Sequence, residues 1–288
     1  MLLYFNGDSF VQGTELADET IPGYPGYIPW PLDFDKNSKF TKGKVWLDSS
    51  HSPGSELNKY RMEHVHEITQ AELYRAYPNK VHLKTGLPFI NRAHGGASMD
   101  RIARVTITDL VKLKKENPDD QIMAFIGTTY PERSEIPNNN PVGTDLHGWP
   151  YDWASISSTF RQSNFDDMIE AVRKYKVLYE TDYHSLVNFY KNVIMLQDFC
   201  KANDIPLYWI ATGENIKKRK FDRKYNDRLD LQMFMDYAKF EYTIDMVALV
   251  EEHTKYQNVV CPGGHFGEYI HLLTAEEIVK VINERQSS

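Results

Sequence analysis

Cysteine is scarce: Cys200 and Cys261 are the only two thiols in 288 residues. They could close a single bridge, which excludes a disulfide-stapled scaffold. Met1-Leu2-Leu3-Tyr4-Phe5-Asn6 has neither a basic start nor a cleavable apolar core, so the thiols are expected free, in a reducing, cytoplasmic setting. Positive charge is also short, with 33 Lys and Arg against 40 Asp and Glu and a net charge of −7. That balance argues against a general nucleic-acid binder, and the basic run Lys217-Lys218-Arg219-Lys220 is read as a solvated loop. Long apolar runs are missing too. Mean hydropathy is −0.53, and no stretch approaches the roughly 20 residues needed to span a bilayer. No internal repeat, low-complexity tract or interdomain linker is evident, which predicts one domain over 1–288.

What is present is an alternation of short apolar runs with longer amphipathic ones. Residues 2–5 read as a buried strand that stops at Asn6-Gly7, with helical character from about Phe10. Further strands are expected at 87–90, 121–126 and 205–211. Helices are expected at about 55–77, 99–115, 186–199 and 245–253, with another around Phe165, Met168, Ile169 and Val172. A last helix over 274–284 is placed by the capping-box pattern of Thr274 and Glu277. Two segments, 20–56 and 128–162, are rich in Pro, Gly and aromatics and read as long irregular insertions. The pattern predicts a three-layer α/β/α sandwich with a mostly parallel, flavodoxin-like sheet of five strands. In such sheets a ligand sits beyond the carboxyl ends of the strands.

Gly7-Asp8-Ser9 occupies that position, directly after the first strand and at the start of a helix. The turn would expose the Ser9 hydroxyl, and neighbouring backbone N–H groups would face a developing oxyanion. A serine nucleophile needs a base, and His265 lies in the Gly263-Gly264-His265-Phe266-Gly267 loop before the last helix. Gly-Asp-Ser is also a common turn, so the tripeptide alone decides little.

Taken together, the motifs resemble the SGNH (GDSL-type) hydrolases. Phe5-Asn6-Gly7-Asp8-Ser9-Phe10-Val11-Gln12-Gly13 is similar to that family's first block. Asn91-Arg92-Ala93-His94-Gly95-Gly96-Ala97-Ser98-Met99-Asp100-Arg101-Ile102 resembles the second. Gly264-His265, followed by His271 and Ala275, resembles the last. Phage-encoded members look nearest. The resemblance implies Ser9 as nucleophile and His265 as base. It also implies an oxyanion hole from the N–H groups of Ser9 and Gly96, an acyl-enzyme intermediate, and no metal or organic cofactor. Two positions depart from it. Thr129 stands where the family has an oxyanion-donating asparagine, and Pro262 where it has the aspartate that orients the histidine. The resemblance therefore implies a Ser-His dyad, with Thr129 as a substitute donor and a main-chain carbonyl of 261–264, or a carboxylate from elsewhere, behind His265.

Other residues divide between bland and functional readings. His64-Val65-His66-Glu67 looks like a metal cluster, but residues i and i+2 on a helix point about 200° apart, so an exposed face is expected. Asp145 and His147 are read as solvated loop residues. His94, Arg133, Trp30 and Trp149 are candidates for contact with a small-molecule or carbohydrate ester. Arg133 and Glu135 either pair with each other at the rim or leave the arginine to grip an anion. Trp30, Trp46, Trp149 and Trp153 lie in the insertions and either form a mini-core there or stack on a ligand. Three functions stay open: ester hydrolysis, acyl transfer by the same nucleophile, and a catalytically silent binding or virion-associated protein on this fold.

Overall fold

The computed structural model describes residues 1–14, 16, 71–137, 153–156, 174, 182–212, 216, 228–253, 261 and 265–287, with backbone alone at 137 and 153–156. The expected insertion over 20–56 therefore lies outside the described residues. So do the 64–67 and 217–220 runs, Asp145, His147, Trp30, Trp149, the helix around Phe165 and residues 262–264.

Five strands form one parallel sheet: β1 (Leu2–Asn6), β2 (Phe89–Asn91), β3 (Ile122–Gly127), β6 (Leu207–Ala211) and β7 (Ile244–Asp245), in the order β2-β1-β3-β6-β7. β1 is flanked on both sides. Leu3, Tyr4 and Phe5 pair with Phe89, Ile90 and Asn91, while Leu2 through Asn6 pair with Ile122 through Ile126. A strand so placed has no wet face, which is why its sequence is an unbroken apolar run. Its side chains alternate between two cores. Leu3 and Phe5 join Met123, Phe125 and Ile210 on one side, and Tyr4 joins Ala124, Ile126 and Trp209 on the other.

The Leu3 side is covered by α1 (Ser9–Gln12), α2 (Tyr77–Thr85), α6 (Met246–His253) and α7 (Glu268–Ser287). The Tyr4 side is covered by α3 (Met99–Glu116), α4 (Asp182–Ala202) and α5 (Leu229–Ala238). The architecture is thus the expected α/β/α sandwich. Helix α3 starts where the sequence placed it: Ser98 caps it by accepting from the Arg101 N–H at 3.2 Å. Its buried stripe includes Ile102, Val105 and Leu110. Neither cysteine is bridged, and burial pushes the Cys200 thiol up to about 12.

Three expectations need correction, and two elements come in addition. Thr274 does not cap the last helix, because α7 already starts at Glu268. There the Gly267 carbonyl accepts from the N–H groups of Ile270 and His271, and the Thr274 hydroxyl turns back to the Ile270 carbonyl at 2.8 Å. The 128–162 segment is not wholly irregular: β4 (Ser134–Pro137) pairs antiparallel with β5 (Trp153–Ile156). The helix expected to end near 77 is broken at Ala76 and restarts as α2, with Pro78 in its first turn, where its missing N–H costs nothing. Finally, α5 and the two-residue β7 carried no clear periodicity and were not anticipated.

Chain order explains where a site forms. From β1 the chain passes to β2 on one side and then to β3 on the other, so a crevice opens between the carboxyl ends of β1 and β3. Gly7 and Gly127 line this junction. A Cβ at Gly7 would lie 2.2 Å from Val11 Cγ2, and one at Gly127 would lie 2.3 Å from the same atom. Only glycine lets the single turn of α1 settle onto the strand ends.

Candidate active site

Ser9 is the first residue of α1, and Asp8 caps that turn, with Oδ1 accepting from the Phe10 N–H at 3.1 Å. Ser9 is nearly buried, at 6% exposure. Its partner comes from the far end of the sequence: Ser9 Oγ and His265 Nε2 are 2.9 Å apart. The imidazole packs against the Phe10 ring at 5.1 Å between centroids, and Phe10 in turn packs against Phe266 at 4.7 Å. The His265 carbonyl accepts from the Cys261 N–H at 2.7 Å. Pro262 and the carbonyls of 262–264, expected to bear on the far imidazole edge, lie outside the described residues.

The loop after β2 approaches from the other side. The Arg92 N–H bonds the Phe5 carbonyl at 2.8 Å and the His94 N–H bonds the Gly7 carbonyl at 3.1 Å, so the loop runs alongside the β1–α1 turn. His94 turns its Nδ1 toward the Gly95 carbonyl at 2.8 Å. The Gly95 N–H donates to Gln12 Oε1 at 2.6 Å. Gly96 follows with φ of 76°, a left-handed turn that favours glycine. Among the described residues, the N–H groups of Ser9 and Gly96 have no hydrogen-bond partner. Unpaired backbone donors on the turn that carries a serine and on the loop running alongside it are of the kind an oxyanion would use.

Asp8 Oδ2 accepts from Thr129 Oγ1 at 2.9 Å and from Arg133 Nη1 at 3.1 Å, and Arg133 Nη1 also donates to Thr129 Oγ1 at 2.8 Å. Asp8 is wholly buried. Burial pushes its carboxyl above the ordinary range, against the opposing pull of Arg133, Thr129, the Phe10 N–H and His265. This network corrects the expectation for Thr129. A hydroxyl has one proton, and that of Thr129 goes to Asp8, so the side chain does not point a free donor at the site. It also gives Arg133 a partner that neither reading named. The guanidinium pairs with Asp8 and lies 4.9 Å over the Tyr130 ring, while Glu135 pairs instead with Arg104 through bonds of 3.1 and 2.9 Å.

The structure thus brings together Ser9, His265, Gly96 and His94, with Thr129 and Arg133 held behind Asp8. Sequence reasoning missed Gln12, one turn after Ser9, and Asp8 as the centre of a buried ion pair. The spacing of Gln12 to Ser9 was a usable signal, but nothing in the sequence named its partner. Among the described residues there is no cluster of three or more His, Cys, Asp or Glu that could hold a metal ion. None of the described helices is long and apolar enough to cross a membrane.

No family model and no curated protein matches the chain. Solved structures do align with it. A lipolytic protein of the G-D-S-L family from Desulfitobacterium hafniense is 10% identical, with 97% of this chain and 98% of that one covered and a TM-score of 0.44. An α/β hydrolase from the metagenome of Lake Arreo is 11% identical, covering 97% and 93% at 0.43. An acetyl xylan esterase from the rumen bacterium Butyrivibrio proteoclasticus is 11% identical, covering 100% and 64% at 0.43. At such scores and identities these likenesses carry no functional argument.

Proposed function

We propose that this chain is a serine-dependent hydrolase of small-molecule or carbohydrate esters, with a Ser-His pair at its centre on a single domain. The observation that carries the reading is the 2.9 Å contact between Ser9 Oγ and His265 Nε2, made across the whole length of the sequence at the carboxyl end of β1. For that contact to activate Ser9, Nε2 must be unprotonated, so the ring proton sits on Nδ1.

His265 takes the Ser9 proton as Oγ attacks the acyl carbon, and the carbonyl electron pair moves onto oxygen. The N–H groups of Ser9 and Gly96 receive that oxyanion. Collapse expels the alkoxide, which leaves with the proton held on His265. Water then attacks the acyl carbon as its proton passes to His265, and that proton returns to Ser9 Oγ as the acid is released. Asp8 takes no proton in this scheme. Paired with Arg133 and Thr129, it fixes the turn that presents Ser9.

The test is hydrolysis of p-nitrophenyl acetate by the wild type, Ser9→Ala and His265→Ala. Each alanine variant is expected to lose about 10³-fold or more in kcat, because members of such a unit fail together. Turnover that survives either change removes the Ser-His account.

A further inference from the structure

Gln12 belongs to none of the roles assigned above, yet it joins the two halves of the site. It lies one turn after Ser9 on α1, so the two side chains share a face of that turn. The residue is almost buried, at 6% exposure. The amide carbonyl accepts from the Gly95 N–H at 2.6 Å, and Nε2 lies 3.4 Å from Glu72 Oε2, a fully buried carboxylate. These partners fix which way the amide faces. A backbone N–H can meet only the oxygen, and a carboxylate can meet only the NH₂. One amide therefore ties the helix carrying the nucleophile to the loop carrying Gly96.

The consequence lies in the next peptide. Gly95 and Gly96 offer two successive N–H groups, and Gln12 takes the first. The second, at φ of 76°, is left unpaired among the described residues. A Cβ built at Gly95 would come 3.9 Å from Ser9 Cβ, so this loop passes directly beside the nucleophile. Without Gln12, the Gly95 N–H would lose its acceptor in a half-buried place, and the peptide would be free to rotate toward another one. Either change carries the Gly96 N–H away from its direction.

We infer that Gln12 is a positioning residue: by holding the Gly95 N–H it aims the Gly96 N–H at the oxyanion formed on Ser9. This rests on the ester-hydrolase reading for its chemical consequence, while the clamp itself does not. A transition-state oxyanion needs the aimed donor and a ground-state ester needs it far less. Losing Gln12 should therefore lower kcat and leave KM in place.

The experiment compares wild type with Gln12→Met, which keeps the length and removes both polar contacts. The expected result is a kcat on p-nitrophenyl acetate lower by about 10²-fold, the size of a lost oxyanion donor, with KM within about twofold. Affinity for an aryl boronic acid, whose adduct with Ser9 carries the tetrahedral oxygen, should fall by the same factor. A folded Gln12→Met with wild-type kcat, or one whose loss appears wholly in KM, overturns the proposal. A second measurement needs no variant: amide hydrogen exchange by NMR on the intact protein. The Gly95 N–H should be protected and the Gly96 N–H should exchange freely. Equal, fast exchange at both overturns the clamp even where Gln12→Met does not fold. If the wild type shows no hydrolysis and binds no boronic acid, the ester-hydrolase reading falls and the inferred role of Gln12 falls with it. The exchange data then report on the Gln12–Gly95 bond alone.

Discussion

Asp8 carries no solvent contact, and a carboxylate in that position persists only with its charge met. Arg133 meets it at 3.1 Å and Thr129 adds a hydrogen bond at 2.9 Å. Replacing Arg133 by Met keeps the apolar stem over Tyr130 and removes the countercharge. The expected cost is about 3 kcal/mol in urea unfolding, the size of a broken buried pair. Adding Asp8→Asn to that variant should return a large part of it, since the uncompensated charge is then gone. An unfolding curve for Arg133→Met that coincides with wild type would show the pair to be idle. At this scale the sequence was legible where chemistry and position coincide. Ser9 after the first strand and His265 before the last helix stand out in the sequence, and the fold puts them 2.9 Å apart. Thr129 was misread because a sequence shows that a hydroxyl is present and not where its proton goes. Gln12 was passed over for the same kind of reason, since its partner is a backbone N–H far along the chain.

Among the elements, the junction of α1 with β1 and β3 is the tightest. A methyl group at position 127 would lie 2.3 Å from Val11 Cγ2 and 2.8 Å from Thr212 Cγ2, so something must move. Gly127→Ala is expected to destabilise by about 1–3 kcal/mol, as overpacking does. Val11→Ala in the same chain should relieve part of that loss. Gly95→Ala should be nearly silent in stability, because its Cβ would meet nothing closer than Gln12 Oε1 at 3.5 Å. Equal urea midpoints for Gly127→Ala and wild type would contradict the packing argument. The elements that could be read from sequence were those with a strong period or an unbroken apolar run, β1 and α3 foremost. The start of α7 could not be read. Thr274 and Glu277 have the spacing of a capping box, yet a threonine inside a helix satisfies its hydroxyl on the carbonyl four residues back. The β4–β5 pair was missed because Ser134-Glu135-Ile136-Pro137 contains a proline and little alternation. It is tied to α3 by Arg104 on Glu135 and by the Glu135 N–H donating to Asp100 at 3.0 Å.

For the molecule as a whole, α/β alternation made the sandwich legible, while the order of its strands came only with the structure. Stability against acid is set in part by His271, a buried residue of α7. Its Nδ1 accepts from the Tyr77 N–H at 3.2 Å, the Tyr77 ring stacks on it, and Lys80 and His265 lie near it. Burial, with the Lys80 ammonium adding to it, holds it at about 3, below the ordinary histidine value. A depressed histidine folds neutral and unfolds ready to take a proton. Its contribution is therefore fully present above about pH 6.5 and is lost as pH falls from there toward 3. Over that window the loss is on the order of 5 kcal/mol. His271→Phe should flatten stability against pH between 6 and 4, at some cost at neutral pH from the unpaired Tyr77 N–H. An unchanged acid slope in urea titrations would remove His271 as the cause.

Whether Ser9 is an activated nucleophile rather than a turn residue is read directly by a fluorophosphonate probe, because an unactivated hydroxyl does not react with it. The wild type is expected to take one phosphonyl group, found by peptide mass on Ser9. Ser9→Ala should take none, and His265→Ala should be labelled at least about 10²-fold more slowly, as loss of a general base requires. A folded wild type that takes no label, or Ser9→Ala labelled at the wild-type rate, would contradict the account.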